Sequence, residues 1–182
     1  MDFLKRSENP KSIYTSGADH LHLADFYKEE LFFIKEGLKR DNIAYHLQYL
    51  EFNVYLYNNY DITYNIESLL CKNMLLTLAM IFEAILSDLL REKINTYNEV
   101  NNIDYRLRNR EFTFEKLIGH GFRLDLIDLK SREKLEQLRR IRKNIHPNVP
   151  SEREYQAYSI EDVNRFINEL NLFMEKLKKR FG

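Results

Sequence analysis

The stretch "LLTLAMIFEAILSDLL", Leu75 to Leu90, decides the fold. Within the wider span Leu69 to Leu90 the apolar residues fall on most sides of a helix, not on one stripe. A helix of that kind is buried on more than one face, so it is expected at the centre of a helical bundle or of a dimer. The spacing places it over about Ile66 to Thr96.

Outward from this helix, apolar positions at helical spacing predict the neighbours. Leu23, Phe26, Leu31, Phe32, Ile34 and Leu38 give one stripe over Asp19 to Arg40. Ile43, Leu47, Leu50 and Val54 give a second over Asp41 to Tyr57, widened by Phe52 and Leu56. The polar, asparagine-rich stretch 98–112 reads as a connection. Thr113 opens a short helix expected to stop near Gly119 or Gly121, because glycine commonly takes the left-handed conformation that ends helices. Ser131 is the expected cap of the next helix. Ser159 with Asp162 three residues later resembles a capping box, its acid one methylene short, at the start of the last one, which ends in "EKLKKRFG" with cations at the negative end of its dipole.

Five glycines and three prolines in 182 residues argue against a turn-rich β protein. The expectation is an all-α bundle of five to six helices. Residues 1–17 read as a flexible arm and 18–182 as one domain. A chain of this length buries enough surface to fold without a disulfide or a metal. Its single cysteine, Cys71, excludes a disulfide framework and a cysteine-built zinc site, and fits a small core residue in a reducing compartment. Twenty-eight basic residues balance twenty-eight acidic ones, so any nucleic-acid site must be a local patch. The N-terminus carries charges where a signal peptide needs an apolar core. The run Met74 to Phe82 is too short to span a bilayer, and the expected location is the cytoplasm with no membrane partner.

One local patch stands out, "LEQLRRIRKNIHPNVP", Leu135 to Pro150. On a wheel at roughly 100° per residue, Leu135, Leu138, Ile141 and Ile145 form its apolar stripe. With Arg139 at zero, His146 falls at about −20° and Arg142 at about −60°, along one edge of that stripe. Arg140 and Asn144 turn towards solvent if the helix stays regular, about 120° and 160° from His146. Pro147 makes the end irregular, which would let Asn144 swing nearer. An imidazole can exchange a proton near neutral pH. Guanidinium groups beside it can hold a phosphate and neutralise charge building on its oxygens. Together they suit attack of a ribose 2′-hydroxyl on the adjacent phosphodiester, chemistry open to RNA and not to DNA. A basic helix terminus that merely complements its dipole is the plainer reading of the same residues.

The segment "LRRIRKNIHP", preceded by "FEKLIGHGFRLDLIDLKSREKLEQ" and by "LLTLAMIFEAILSDLL", resembles the HEPN superfamily (higher eukaryotes and prokaryotes nucleotide-binding domains) over about residues 66–181. The resemblance implies a helical homodimer. It also implies a metal-independent endoribonuclease of the toxin–antitoxin, abortive-infection or antiviral type, with no cofactor. The family signature is an arginine, four to six residues and a histidine, with a polar residue commonly after the arginine. Two copies of the signature meet across the dimer to form one cleft. Carried over, the histidine is His146. Arg139 and Arg140 satisfy the spacing, with six and five intervening residues. Arg142, with three, has the more family-like "RKN" setting and shares the edge of His146 on the wheel. The order of candidates is therefore Arg142, then Arg139, with Asn144 a lesser one. HEPN proteins without nuclease activity serve as dimerisation or binding modules. A non-catalytic module that binds a nucleotide, an RNA or a protein is the alternative.

Other residues carry weaker signals. Glu83 interrupts the most apolar part of the central helix, so it is expected to be paired, protonated or at a boundary. It either orients an arginine of the edge or makes a structural salt bridge or dimer contact. His20 and His22 do not form a metal pair. His46 and His120 lack a carboxylate or cysteine at ligand spacing. Arg106, Arg108 and Arg110 beside Tyr105 could track an RNA strand or form a solvated loop. Tyr45, Tyr49, Tyr55, Tyr57, Tyr60 and Tyr64 mark an expected partner surface, for instance for a cognate antitoxin.

Overall fold

The computed structural model describes residues 21–102, 104, 106, 112–144 and 157–182. Among them are six α-helices and no strand, so the all-α expectation holds. They are α1 (Ala24–Glu30), α2 (Gly37–Asn59), α3 (Tyr64–Asn101), α4 (Phe114–Arg123), α5 (Leu129–Asn144) and α6 (Ile160–Phe181).

α3 is the axis of the bundle and packs against α2, α4, α5 and α6. Met74, Leu75, Leu78, Phe82, Ile85 and Leu86 are all but sealed from solvent. The rings of Phe82 and Phe173 of α6 lie 5.7 Å apart. Truncating Phe82 to alanine would cost about 3–5 kcal/mol on that packing. At 38 residues, α3 has the length and the mean hydropathy, 1.8 in its most apolar window, of a membrane span; 56% of that window is buried among the other helices, where a core helix sits. Cys71 is buried in α3, and burial pushes its thiol up to about 11, as befits a packing residue.

Four expectations about boundaries are corrected. First, the stretch Asp19 to Arg40 is not one helix within its described part, because the chain leaves α1 at Leu31 and re-enters at Gly37. Leu31, Phe33 and Ile34 are all fully buried. Leu31 and Phe33 would point to nearly opposite sides of a helix, so a turn at residues 31–33 is what buries both. Leu23, Phe26, Phe32 and Leu38, placed on the same stripe by spacing, are exposed. Second, α3 continues to Asn101 into the expected connection and ends on Asn102 in the left-handed region, φ 51°.

Third, Gly119 and Gly121 do not stop α4. Both lie inside the helix, and the left-handed residue is Asp125, φ 54°. Gly121 instead allows close approach: a Cβ there would sit 3.0 Å from a terminal methyl of Leu86 in α3. Fourth, Ser131 does not cap α5 but lies in its first turn. Its N–H donates to the carboxylate of Asp128, the residue directly before the helix, at 2.8 Å. The capping box of α6 is present as expected, with Ser159 and Asp162 each bonded to the other's backbone. The arm 1–17 lies outside the described residues.

Candidate functional site

α5 packs on α3, α4 and α6 through Leu135 and Leu138, which are fully buried, and Ile141, which borders the core. That stripe fixes the rotation of the helix. Arg139 and Arg142 consequently stand half-buried along one edge, and Arg140 is exposed. The helix is regular through Asn144, so Asn144 lies roughly 200° round from Arg142 and is not brought to that edge. Ile145, His146 and Pro147 lie outside the described residues.

Glu83 of α3 faces this edge. Arg142 donates from a terminal guanidinium nitrogen to its carboxylate, with side chains 37% and 26% exposed respectively. Arg139 donates through Nε to Glu136 one turn back at 2.8 Å, and its Nη1 meets Glu115 of α4 at 3.4 Å. Three elements thus converge on two guanidinium groups. A guanidinium carries five N–H donors, so Glu83, the carboxylate paired with Arg142 among the described residues, does not by itself use them all. The expected pairing of Glu83 is therefore found, with an arginine of the edge as its partner.

Tyr158, buried ahead of α6, also meets α3. The N–H of Tyr158 donates to Ser68 Oγ at 3.1 Å, four helical turns before Glu83.

The remaining candidates are scattered. His22 is exposed, with Nδ1 2.8 Å from Glu51 and its ring stacked on Phe26 at 4.0 Å. The ring of His46 donates from Nδ1 to the carbonyl of Asn42 at 2.7 Å. Arg106 pairs with Asp104 at 2.9 Å; His20, Tyr105, Arg108 and Arg110 lie outside the described residues. Of the six tyrosines, Tyr45, Tyr49, Tyr60 and Tyr64 are exposed. Tyr57 donates to Glu67 at 2.8 Å, and this bond raises its hydroxyl to about 12. Among the described residues no group of three or more histidine, cysteine or acidic side chains is placed to hold a metal ion.

Two buried ion pairs escaped the sequence reading. Lys39 of α2 meets Asp88 of α3 at 3.1 Å, and Lys134 of α5 meets Glu169 of α6 at 2.6 Å. Asp88 sits in an apolar stretch, as Glu83 does, whereas Glu169 lies between Asn168 and Asn171 and shares only the buried face of Phe166, Leu170 and Phe173.

The fold and edge define a helical bundle with an arginine pair braced by carboxylates. No protein-family model, curated protein or solved structure matches the chain.

Proposed function

We propose that the chain is a metal-independent endoribonuclease of the HEPN type, working in the cytoplasm as a toxin or antiviral defence effector. One observation carries this reading: Arg142 stands half-exposed on the α5 edge beside Arg139, held by a carboxylate that interrupts the core helix. Such a guanidinium is oriented before any ligand arrives, which is what stabilising charge on a phosphate requires. His146, two positions after Asn144 in the sequence, exchanges the proton. In the reaction the 2′-oxygen of a ribose bonds to the adjacent phosphorus as the bond from phosphorus to the 5′-oxygen breaks. The 2′-hydroxyl gives up a proton and the leaving 5′-oxygen gains one. Arg142 and Arg139 bind the non-bridging oxygens. A homodimer would bring two such edges together. Exposed Ile66 and Leu69 on α3 give a second copy apolar surface to cover, and the exposed tyrosines of α2 offer a face for an antitoxin or defence partner.

The test is an RNA digest in excess chelator. Wild type should cut, and His146→Ala should lose at least about 100-fold of the rate, as removal of a proton-transfer group does. Expression should arrest growth and the same substitution should relieve it.

A second reading is favoured by the ion pairs themselves. Both arginines already have carboxylate partners, as structural bridges do, and a dimeric module that binds a nucleotide, RNA or protein without cutting would keep them so. Wild type that binds RNA and leaves it intact would establish that reading.

A further inference from the structure

On α3, Met80 is 40% exposed. At 100° per residue, Glu83 falls about 60° to one side of it and Ala84 about 40° to the other. The Glu83 side carries Arg142. The Ala84 side opens into a groove of about 230 Å³ between α2 and α3. Its floor is Ile43, Met80, Ile81 and Ala84, and its rim is Lys39, Asn42 and His46.

The chemistry of the groove selects its ligand. Lys39 is already bonded to Asp88 and to Glu36, each at 3.1 Å, so the rim offers little net positive charge to a phosphate. The carbonyl of Asn42 can only accept, so a neutral His46 carries its proton on Nδ1 and keeps Nε2 as an acceptor. Asn42 adds an exposed amide that both donates and accepts. An apolar floor with a polarisable thioether, edged by an acceptor and an amide, fits a flat, uncharged heterocycle. The volume lies below the roughly 300–1,000 Å³ of ordinary ligand pockets, so it suits one ring system. Tyr49, one turn beyond His46 and exposed, bonds to Asn73 of α3 at 2.6 Å, so a further ring borders the same seam.

We infer that this groove receives an unpaired base of the RNA strand whose phosphate lies on Arg142. The inference rests on the ribonuclease or RNA-binding reading above. One turn of α3 then presents two subsites, a charged one for the backbone and a neutral one for a base. This division matches how single strands are held, with stacking tolerant of sequence.

The probe is a set of fluorescein-labelled single-stranded hexanucleotides, 2′-O-methylated throughout so that no 2′-hydroxyl can attack. In each series an abasic residue is moved through every position. Binding is read by anisotropy for wild type, Ala84→Phe, which fills the groove, and Met80→Ala, which removes an exposed part of the floor and spares the fold. Stacking of one base is worth roughly 1–3 kcal/mol, so each variant should weaken binding about 5- to 100-fold. One abasic position should cause the same loss, and that loss should vanish in the Ala84→Phe protein. Variants that bind within twofold of wild type overturn the groove. If Arg142→Ala weakens binding while both groove variants do not, only the groove falls and the RNA reading stands. If wild type binds none of the oligonucleotides, both fall. Groove variants that alter self-association or capture of a protein partner, and not oligonucleotide affinity, assign the face to a protein and overturn the proposal.

Discussion

Five residues apart on α3, Glu83 and Asp88 meet opposite fates. Asp88 is 6% exposed and held by Lys39 inside the bundle; Glu83 is 26% exposed and holds Arg142 at its edge. One pair joins α2 to the central helix, the other joins α5 to it. A buried pair gives little net stability over apolar packing, yet losing one member leaves an uncompensated charge. A half-exposed pair loses little when broken, because water takes over. Depth therefore separates a pair that the fold depends on from one that it can lose.

The largest expected effect tests the buried side. Lys39→Met should destabilise the protein by about 3–5 kcal/mol in chemical denaturation, through the stranded Asp88 carboxylate. The double variant Lys39→Met/Asp88→Leu should recover most of the loss, since the charge goes with its partner. A single variant as stable as wild type would erase the contrast between the two pairs. Lys134→Met should behave like Lys39→Met, because Glu169 is equally buried, at 3% exposed.

The legible parts of this molecule are those where one physical rule acts alone. α3 was readable because apolar residues on nearly every side admit one solution, a buried helix. The edge of α5 was readable because Leu135 and Leu138 fix its rotation, which leaves Arg139 and Arg142 half-covered and Arg140 outside. The α1–α2 region was not, because "LFFI" at 31–34 satisfies a helical stripe on paper while burying Leu31, Phe33 and Ile34 demands a turn. Gly121 misled for a different reason: its role is the approach to Leu86, a tertiary contact that no local rule encodes. At α5 the cap is Asp128 and not the expected Ser131, and Lys176 is an added partner of its carboxylate. Glu83 announced itself as a charge in an apolar run, but its choice of Arg142, 59 residues on, depends on how α5 docks. The groove at His46 was invisible, since it exists only in the register of α2 against α3.

The next effect is on the exposed side of the comparison. Glu83→Gln should change stability by less than about 1 kcal/mol. If the ribonuclease reading holds, kcat/KM should nevertheless fall roughly 10- to 100-fold, because Arg142 is no longer held where the phosphate sits. Arg142→Lys, with Glu83 intact, should lose at least as much, as an ammonium lacks the planar fork. A Glu83→Gln protein as destabilised as Lys39→Met would place both pairs in the service of the fold.

A third pair, fully at the surface, completes the gradient and has the smallest expected effect. Asp128 and Lys176 are 53% and 51% exposed, and Asp128 also caps α5 through the Ser131 N–H. The Lys176 bond, with help from Ser131, lowers the Asp128 carboxyl to about 2. A carboxyl depressed in the folded state stabilises above its unfolded value, near 4, and that contribution disappears as pH falls towards 2. Asp128→Ala should therefore lower stability by about 1 kcal/mol at neutral pH, mostly through the lost cap. The gap to wild type should narrow on acidification from pH 4 to pH 2, without closing, because a protonated carboxyl still accepts from Ser131. Added salt should shrink only the part owed to Lys176. A gap that stays constant across this range would mean the carboxylate charge contributes nothing there, and that the cap acts through geometry alone.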